Sequence, residues 1–267
     1  MLRKARFAGD WYPGDPVSLR AALQRFVPAD APQVQALGIV SPHAGYVYSG
    51  AVAGQTYARV HVPALAVVAC VNHRGIGARA ALMASGSWET PLGKVPVDER
   101  FCTILLENCP LLADDASAHL MEHSLELQLP FLQYRNPGIR LVPVCLQQLS
   151  FAECDELGRA IAKTVRAGRE QALLVASTDL SHFESQEVAR ELDRQAIEAI
   201  LALDPKGLYN VVGRKRISMC GVIPTTTILS ACLELGARRA ELVRYATSGD
   251  VSGDFSSVVG YAGIVIQ

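Results

Sequence analysis

The chain has 267 residues, of which 50% are hydrophobic and 19% charged, with 25 Lys plus Arg against 26 Asp plus Glu. This composition supports a large core and excludes global disorder. The formal net charge of -1 provides no electrostatic footprint for nucleic acid or a membrane surface, so neither is expected as a partner.

The amino terminus carries basic residues with no apolar stretch behind them, unlike a secretory signal. The first element is a short β-branched run at 37–41, which predicts a buried strand, and a helical period follows at 50–60. A second apolar run, 64–71, predicts another strand and is far shorter than the roughly 20 residues a membrane span needs. Helices are predicted at 99–108 and 117–132, a strand at 139–146, a helix at 151–166 and a strand at 172–177. A helix at 186–203 comes next, then the basic cluster Arg214-Lys215-Arg216, which reads as a solvated loop. A helix at 222–235 starts near Pro224, a residue tolerated in a first turn. Strands at 241–246 and 258–266 close the chain and are near enough in sequence to pair antiparallel. The alternation predicts a single α/β domain over residues 1–267, with a largely parallel or mixed central sheet flanked by helices. The seven cysteines are scattered, odd in number and without C-x-x-C, which fits buried thiols in a reducing cytoplasm.

The polar residues concentrate after strands. The run 37–41 leads into Pro42-His43-Ala44-Gly45-Tyr46, and 64–71 leads into Asn72-His73-Arg74-Gly75. The strand 172–177 leads into Thr178-Asp179-Leu180-Ser181-His182, and 241–246 into Ser248-Gly249-Asp250. Ligands of open α/β sheets bind at the carboxyl ends of the strands, and parallel strands bring such ends to one edge. Each residue alone also reads as a turn or cap. Together, two imidazoles and one carboxylate form the facial set that holds Fe(II) with open positions, and the same donors suit Zn, Cu or Mn. On this reading His43, His73 and Asp250 are the metal ligands, with Asp254 competing with Asp250. A further histidine, His182, serves as acid/base near neutral pH with Asp179 beside it.

Two motifs compete with this reading. Gly75-Ile76-Gly77-Ala78-Arg79-Ala80 matches a dinucleotide fingerprint, but residues 85–91, Ser-Gly-Ser-Trp-Glu-Thr-Pro, do not continue a crossover helix, so a glycine turn accounts for it better. His119-Leu120-Met121-Glu122-His123 matches the inverted zinc-protease signature, and on a helix His119 and His123 would share a face. Cys220 in Met219-Cys220-Gly221 reads as a nucleophile or, better, as a buried thiol near a helix start.

Seven colinear motifs resemble the Memo family, whose prokaryotic members are called AmmeMemoRadiSam system protein B. They are Ala8-Gly9-Asp10-Trp11-Tyr12-Pro13, Ser41-Pro42-His43-Ala44-Gly45-Tyr46, Asn72-His73-Arg74-Gly75, Glu122-His123-Ser124-Leu125-Glu126, Ser177-Thr178-Asp179-Leu180-Ser181-His182, Met219-Cys220-Gly221 and Tyr245-Ala246-Thr247-Ser248-Gly249-Asp250. The resemblance implies a fold similar to class III extradiol dioxygenases and a mononuclear non-haem metal site of redox or dioxygenase-like type. It implies His43 and His73 as ligands and His182 with Asp179 as the acid/base group. It implies Asp250 at the third ligand position, which is Cys in animal Memo and Glu in the dioxygenases. The pocket wall and the groups that support the ligands are expected from Tyr46, Asn72, Arg74, Glu122 and His123. The resemblance further implies a small-molecule or peptide ligand and a functional link to AMMECR-type and radical SAM proteins. The alternative reading is a non-catalytic metal- or peptide-binding interaction protein.

Overall fold

The computed structural model describes residues 1–168 and 170–267. The chain runs β1 (Leu2–Arg3), α1 (Pro16–Phe26), β2 (Gly38–Ser41), α2 (Tyr46–Ala58) and β3 (Leu65–Val71). A short excursion comes next, with β4 (Ala80–Leu82), β5 (Ser87–Thr90), β6 (Gly93–Pro96), α3 (Glu99–Asn108), β7 (Ala113–Asp114) and α4 (Ser117–Leu120). A 3-10 turn, Glu126–Gln128, precedes α5 (Leu129–Arg135), β8 (Arg140–Leu146), α6 (Phe151–Gly168) and β9 (Ala172–Ser177). The last third holds β10 (His182–Glu184), α7 (Gln186–Leu201), α8 (Pro205–Lys215), α9 (Val222–Glu234), β11 (Ala240–Thr247), α10 (Gly249–Ser252) and β12 (Val258–Ile266).

The centre is a mixed sheet in the order β10-β12-β2-β9-β3-β8-β4-β7, with β11 also paired to β12. Strands β2, β9, β3 and β8 run parallel, in register from Leu65↔Arg140 to Val71↔Leu146 across β3 and β8. Antiparallel pairs flank this block, β12 with β2 on one side and β4 with β8 on the other. The parallel strands are almost continuously apolar and buried, as a sheet covered on both faces requires. Helix α9, backed by α6 and α8, packs on β9, β3 and β2, and α2, backed by α1 and α5, packs on the β2, β12 and β11 region. Helix α9 is uncharged from Val222 to Leu233 and buried from Ile223 to Cys232, in keeping with a helix enclosed between layers. No helix among the described residues is long and apolar enough to cross a membrane.

The predicted strands at 172–177 and 258–266 and the helix at 99–108 coincide with β9, β12 and α3. The antiparallel pairing of the last two strands is also present. Helices α1 and α8 lie outside the predicted elements. Both open on Asp-Pro: Asp15 accepts the Val17 and Ser18 amides, Asp204 accepts the Gly207 amide, and the proline takes the first helical position. The basic cluster is the end of α8 rather than a loop, with Arg216 as a left-handed cap, so its charges oppose the negative end of the helix dipole.

The predicted helix at 117–132 is broken. Helix α4 ends at Leu120 because the Glu122 carboxylate accepts the amides of His73, His123 and Ser124, each at 2.8–2.9 Å, and draws the chain out of the helix. His119 and His123 therefore do not share a helical face, and the zinc-protease arrangement is not formed. The glycine-rich stretch is a turn, with Gly75 and Gly77 at φ +64° and +76°, and it leads into β4.

Candidate metal centre at the strand ends

Strands β2, β9 and β3 are neighbours and parallel, so their carboxyl ends meet at one edge of the sheet. Two residues beyond each strand stands a group with chemistry: His43 after Ser41, Asp179 after Ser177, and His73 after Val71. Four of the six histidines, His43, His73, His123 and His182, line one cavity of about 1330 Å3. Asp179, Tyr46 and the aromatic rings of Trp11, Tyr48 and Phe183 line it too, with Asp10, Arg25 and Asp254 as charged members.

Both imidazoles at the strand ends are fixed through one nitrogen. His43 Nδ1 is 2.9 Å from Ser177 Oγ, which leaves Nε2 3.3 Å from Cys220 Sγ. His73 Nδ1 is 2.9 Å from Glu122 Oε1, which leaves its Nε2 free. One donor atom each from His43, His73 and Cys220 lies within 4.8 Å of the others. A second group, His73, Glu122 and His123, meets the same distance limit. In that group Glu122 Oε1 is already engaged by the Ser124 hydroxyl at 2.8 Å and by several N–H groups, so it acts as an orienting acceptor. His123 stacks on His73, with ring centroids 4.7 Å apart, and Trp11 covers it at 4.4 Å.

Cys220 reaches the cluster because Gly221 follows it. A side chain at Gly221 would meet Thr178 Cβ at 2.3 Å, and the Gly221 amide instead donates to Thr178 Oγ1 at 2.9 Å. This close approach places Cys220 Sγ 3.3 Å from the Asp179 amide, which donates to it. Asp179 Oδ1 accepts the His43 amide at 2.8 Å, and Oδ2 lies 4.0 Å from His43 Nε2. His182 Nδ1 lies 2.8 Å from the Leu180 carbonyl and 2.9 Å from that of Ser218. Two carbonyls can only accept, so Nδ1 carries the proton and Nε2 is left as the basic nitrogen. Phe183, next in the chain, sits at φ +61° and is 80% exposed, a strained backbone beside the cavity.

Burial dominates the electrostatics. It holds His43 down at about 3, helped by the charge of His73 and opposed by Glu122. His123 is likewise held at about 3 by burial and by His43. Glu122 moves the other way. Burial would raise it, but the hydrogen bond from His73 and the charges of His73 and His123 bring it to about 2. Burial raises Asp179 against the His43 amide, and it pushes the Cys220 thiol far up, reinforced by Asp179. His43 and His123 are thus neutral imidazoles beside the firmly ionised Glu122. Neutral imidazole is the form that ligates metal.

Several expected residues lie elsewhere. Asp250 is in neither donor group: its Oδ2 accepts the Thr247 amide at 2.8 Å, its Oδ1 is 3.8 Å from Arg190, and its side chain is 41% exposed. The reason is topological. Strand β11 pairs with β12, which separates it from β2, and the chain then turns into α10, whose first turn holds Asp250. Asp254 folds back on the Ser256 amide and hydroxyl. Cys220, rather than a carboxylate, is the donor that lies within 4.8 Å of both His43 and His73. Asn72 Nδ2 donates to the Ile76 carbonyl within its own turn, and Arg74 is exposed and outside the cavity lining. Tyr46, expected as pocket wall, does line the cavity, and its hydroxyl donates to the Leu127 carbonyl at 2.7 Å. Ser177 and Trp11 were missed as site residues. Each lies within a recognised motif, but neither side chain advertises a role in isolation.

The model of the Memo-like protein family matches residues 3–265. The chain belongs to the Memo family. It is 42% identical to a MEMO1 family protein of Methanopyrus kandleri, across all of this chain and 99% of that one. A MEMO1 family protein of Methanothermobacter thermautotrophicus is 38% identical, covering 98% of this chain and 99% of its own. Among solved structures, an uncharacterized protein of Escherichia coli K12 superposes with a TM-score of 0.55 at 14% identity, over 85% of this chain and 98% of that one. That likeness concerns the fold alone. In this Memo-family chain, two groups of His, Cys and Glu that could hold a metal ion border the cavity just described, which His43, His73 and His123 line.

Proposed function

We propose that this Memo-family chain is a metal-dependent protein with a mononuclear centre held by His43, His73 and Cys220, acting on a small molecule or peptide in redox or oxygen-linked chemistry of dioxygenase type. The observation that carries the reading is the convergence of three donor atoms from three separate segments within 4.8 Å, with both imidazoles already oriented from behind. A thiolate in place of the expected carboxylate moves the preference from hard cations such as Mn toward Fe, Cu and Zn. When bound, Fe(II) would supply Lewis acidity and electron transfer to substrate oxygen.

The chain's own residues do the remaining work. His182 takes or gives a proton at Nε2, since Nδ1 is tied to two carbonyls. Asp179 anchors the His43 backbone and stands between the acid/base and ligand residues. Trp11, Tyr48 and Phe183 give the cavity the flat apolar walls that an aromatic ring or peptide side chain fills.

The test is metal analysis of protein purified without oxygen, followed by spectroscopy with catechol as probe. The expected outcome is one equivalent of iron with a thiolate-to-metal absorption that shifts on catechol addition and is lost in His43→Ala and Cys220→Ser. Asp250→Ala should keep the full metal content. Protein that takes up no iron, copper or zinc would overturn the centre. Protein that binds metal but responds neither to catechol nor to oxygen would turn the reading to a binding module.

A further inference from the structure

Between the sheet and α4 lies a second cluster that the cavity does not use. Cys70 on β3 and Cys145 on β8 are direct partners in the parallel register, so their side chains leave the sheet side by side on one face. His119, in α4, closes over them. One donor atom each from Cys70, His119 and Cys145 lies within 4.8 Å of the others, and all three residues are fully buried. Among the described residues neither ring nitrogen of His119 has a partner at hydrogen-bond geometry, the Ala81 backbone being near enough only to oppose the effect of burial. A buried polar atom left unsatisfied costs about 1–3 kcal/mol, so such a ring calls for an explanation. Burial, with the Arg3 guanidinium, holds His119 at about 4, hence neutral and able to ligate.

We propose that Cys70, Cys145 and His119 form a closed structural site for a divalent thiophilic cation of the zinc class, distinct from the open centre and independent of its reading. Two sulfurs and an imidazole are the donors such an ion takes. Charge supports the divalent choice. Two thiolates and one dication sum to zero, the only sum that a water-free site accepts cheaply. The nearby Arg3 is already paired with Glu126 and contributes no spare charge. The Cys145 thiol donates to the Ala118 carbonyl at 3.6 Å and to that of Val71 at 3.7 Å, long contacts that it gives up on ionising to bind the ion. Binding displaces two thiol protons to solvent and frees no other group. The ion would pin α4 to the sheet three residues before Glu122, which orients His73.

The experiment uses the full chain carrying His43→Ala and Cys220→Ala, which removes the open centre, expressed with zinc supplementation and weighed intact by native mass spectrometry. The expected result is one retained zinc, lost when Cys145→Ala is added. The same double variant refolded with cadmium should show a thiolate-to-cadmium absorption, which keeps the proposal testable if the triple variant does not fold. A double variant with no zinc and no cadmium band, its thiols free, would overturn the site in favour of plain packing. A mass 2 Da lower, from a Cys70–Cys145 disulfide, would overturn it equally.

Discussion

Glu122 shapes the open centre without being one of its three proposed ligands. One oxygen accepts His73 Nδ1, the His123 and Ser124 amides and the Ser124 hydroxyl, and the other accepts the His73 amide. An acceptor of this kind fixes which nitrogen of His73 is free, and groups of this type are worth about 10–100-fold in metal affinity. Glu122→Gln presents a donor to at least one of these N–H groups. We expect it to weaken metal binding by about that factor, measured by competition with a chelator, while the donor residues themselves stay in place. Ser177→Ala tests the same logic on His43, since it removes the partner of Nδ1 and frees the ring to rotate. An unchanged affinity in both variants would show that the second partners of the imidazoles are immaterial.

At the scale of elements, the site edge is joined to the rest of the fold by Asp193 on α7. Its Oδ1 accepts the Ser181 amide just after β9, and its Oδ2 accepts the Tyr245 hydroxyl on β11. Burial raises this carboxyl above its ordinary value in spite of those two bonds. The folded protein therefore holds the Asp193 proton more tightly than the unfolded chain does. That contribution to stability is fully present below the unfolded value, near 4, and is lost as pH rises through the folded value. Asp193→Asn keeps the shape and the Ser181 contact but cannot ionise, and its amide NH2 meets the Tyr245 hydroxyl as a donor. Its urea midpoint should rise relative to the parent between pH 4 and pH 7, with the slope unchanged. A constant difference across that range would show that Asp193 is ionised in the folded protein at the ordinary value.

For the whole molecule, the amino-terminal segment is fastened by one buried carboxylate. Glu126 accepts the Arg6 and Phe7 amides and the Tyr12 hydroxyl, and it pairs with Arg3, which is 1% exposed. Arg3 also donates to the His119 and Glu122 carbonyls and lies over the Trp88 ring at 4.6 Å. This knot holds Trp11 against His123 and so completes the cavity wall. Removing one partner of a buried pair strands the other charge, at a cost of about 3–5 kcal/mol. Arg3→Met should lose that much in denaturant unfolding, and Arg3→Met with Glu126→Gln should recover part of it. If the double variant is as unstable as the sum of the single ones, the pair is not coupled.

The sequence by itself determined the sheet and its polar edge. Uninterrupted apolar runs such as Leu173, Leu174 and Val175 have no solvent-tolerant face, and His43, His73 and Asp179 each follow such a run directly. Sequence periodicity could not show that Glu122 would break a helix, because its partners include an amide 49 positions away on another strand end. It could not show that Cys220, and not Asp250, lies beside His43 either. Asp250 follows a strand like the others, but that strand is set apart by β12, while Cys220 follows no strand and reaches His43 across 177 positions because Gly221 lets the chain pass Thr178 closely. The pairing of Cys70 with Cys145 depends on the register of two strands that are distant in the chain. Local propensity fixes what each segment becomes. Which side chains share a point in space is decided by strand order and close backbone contact, and these form only when the whole chain packs.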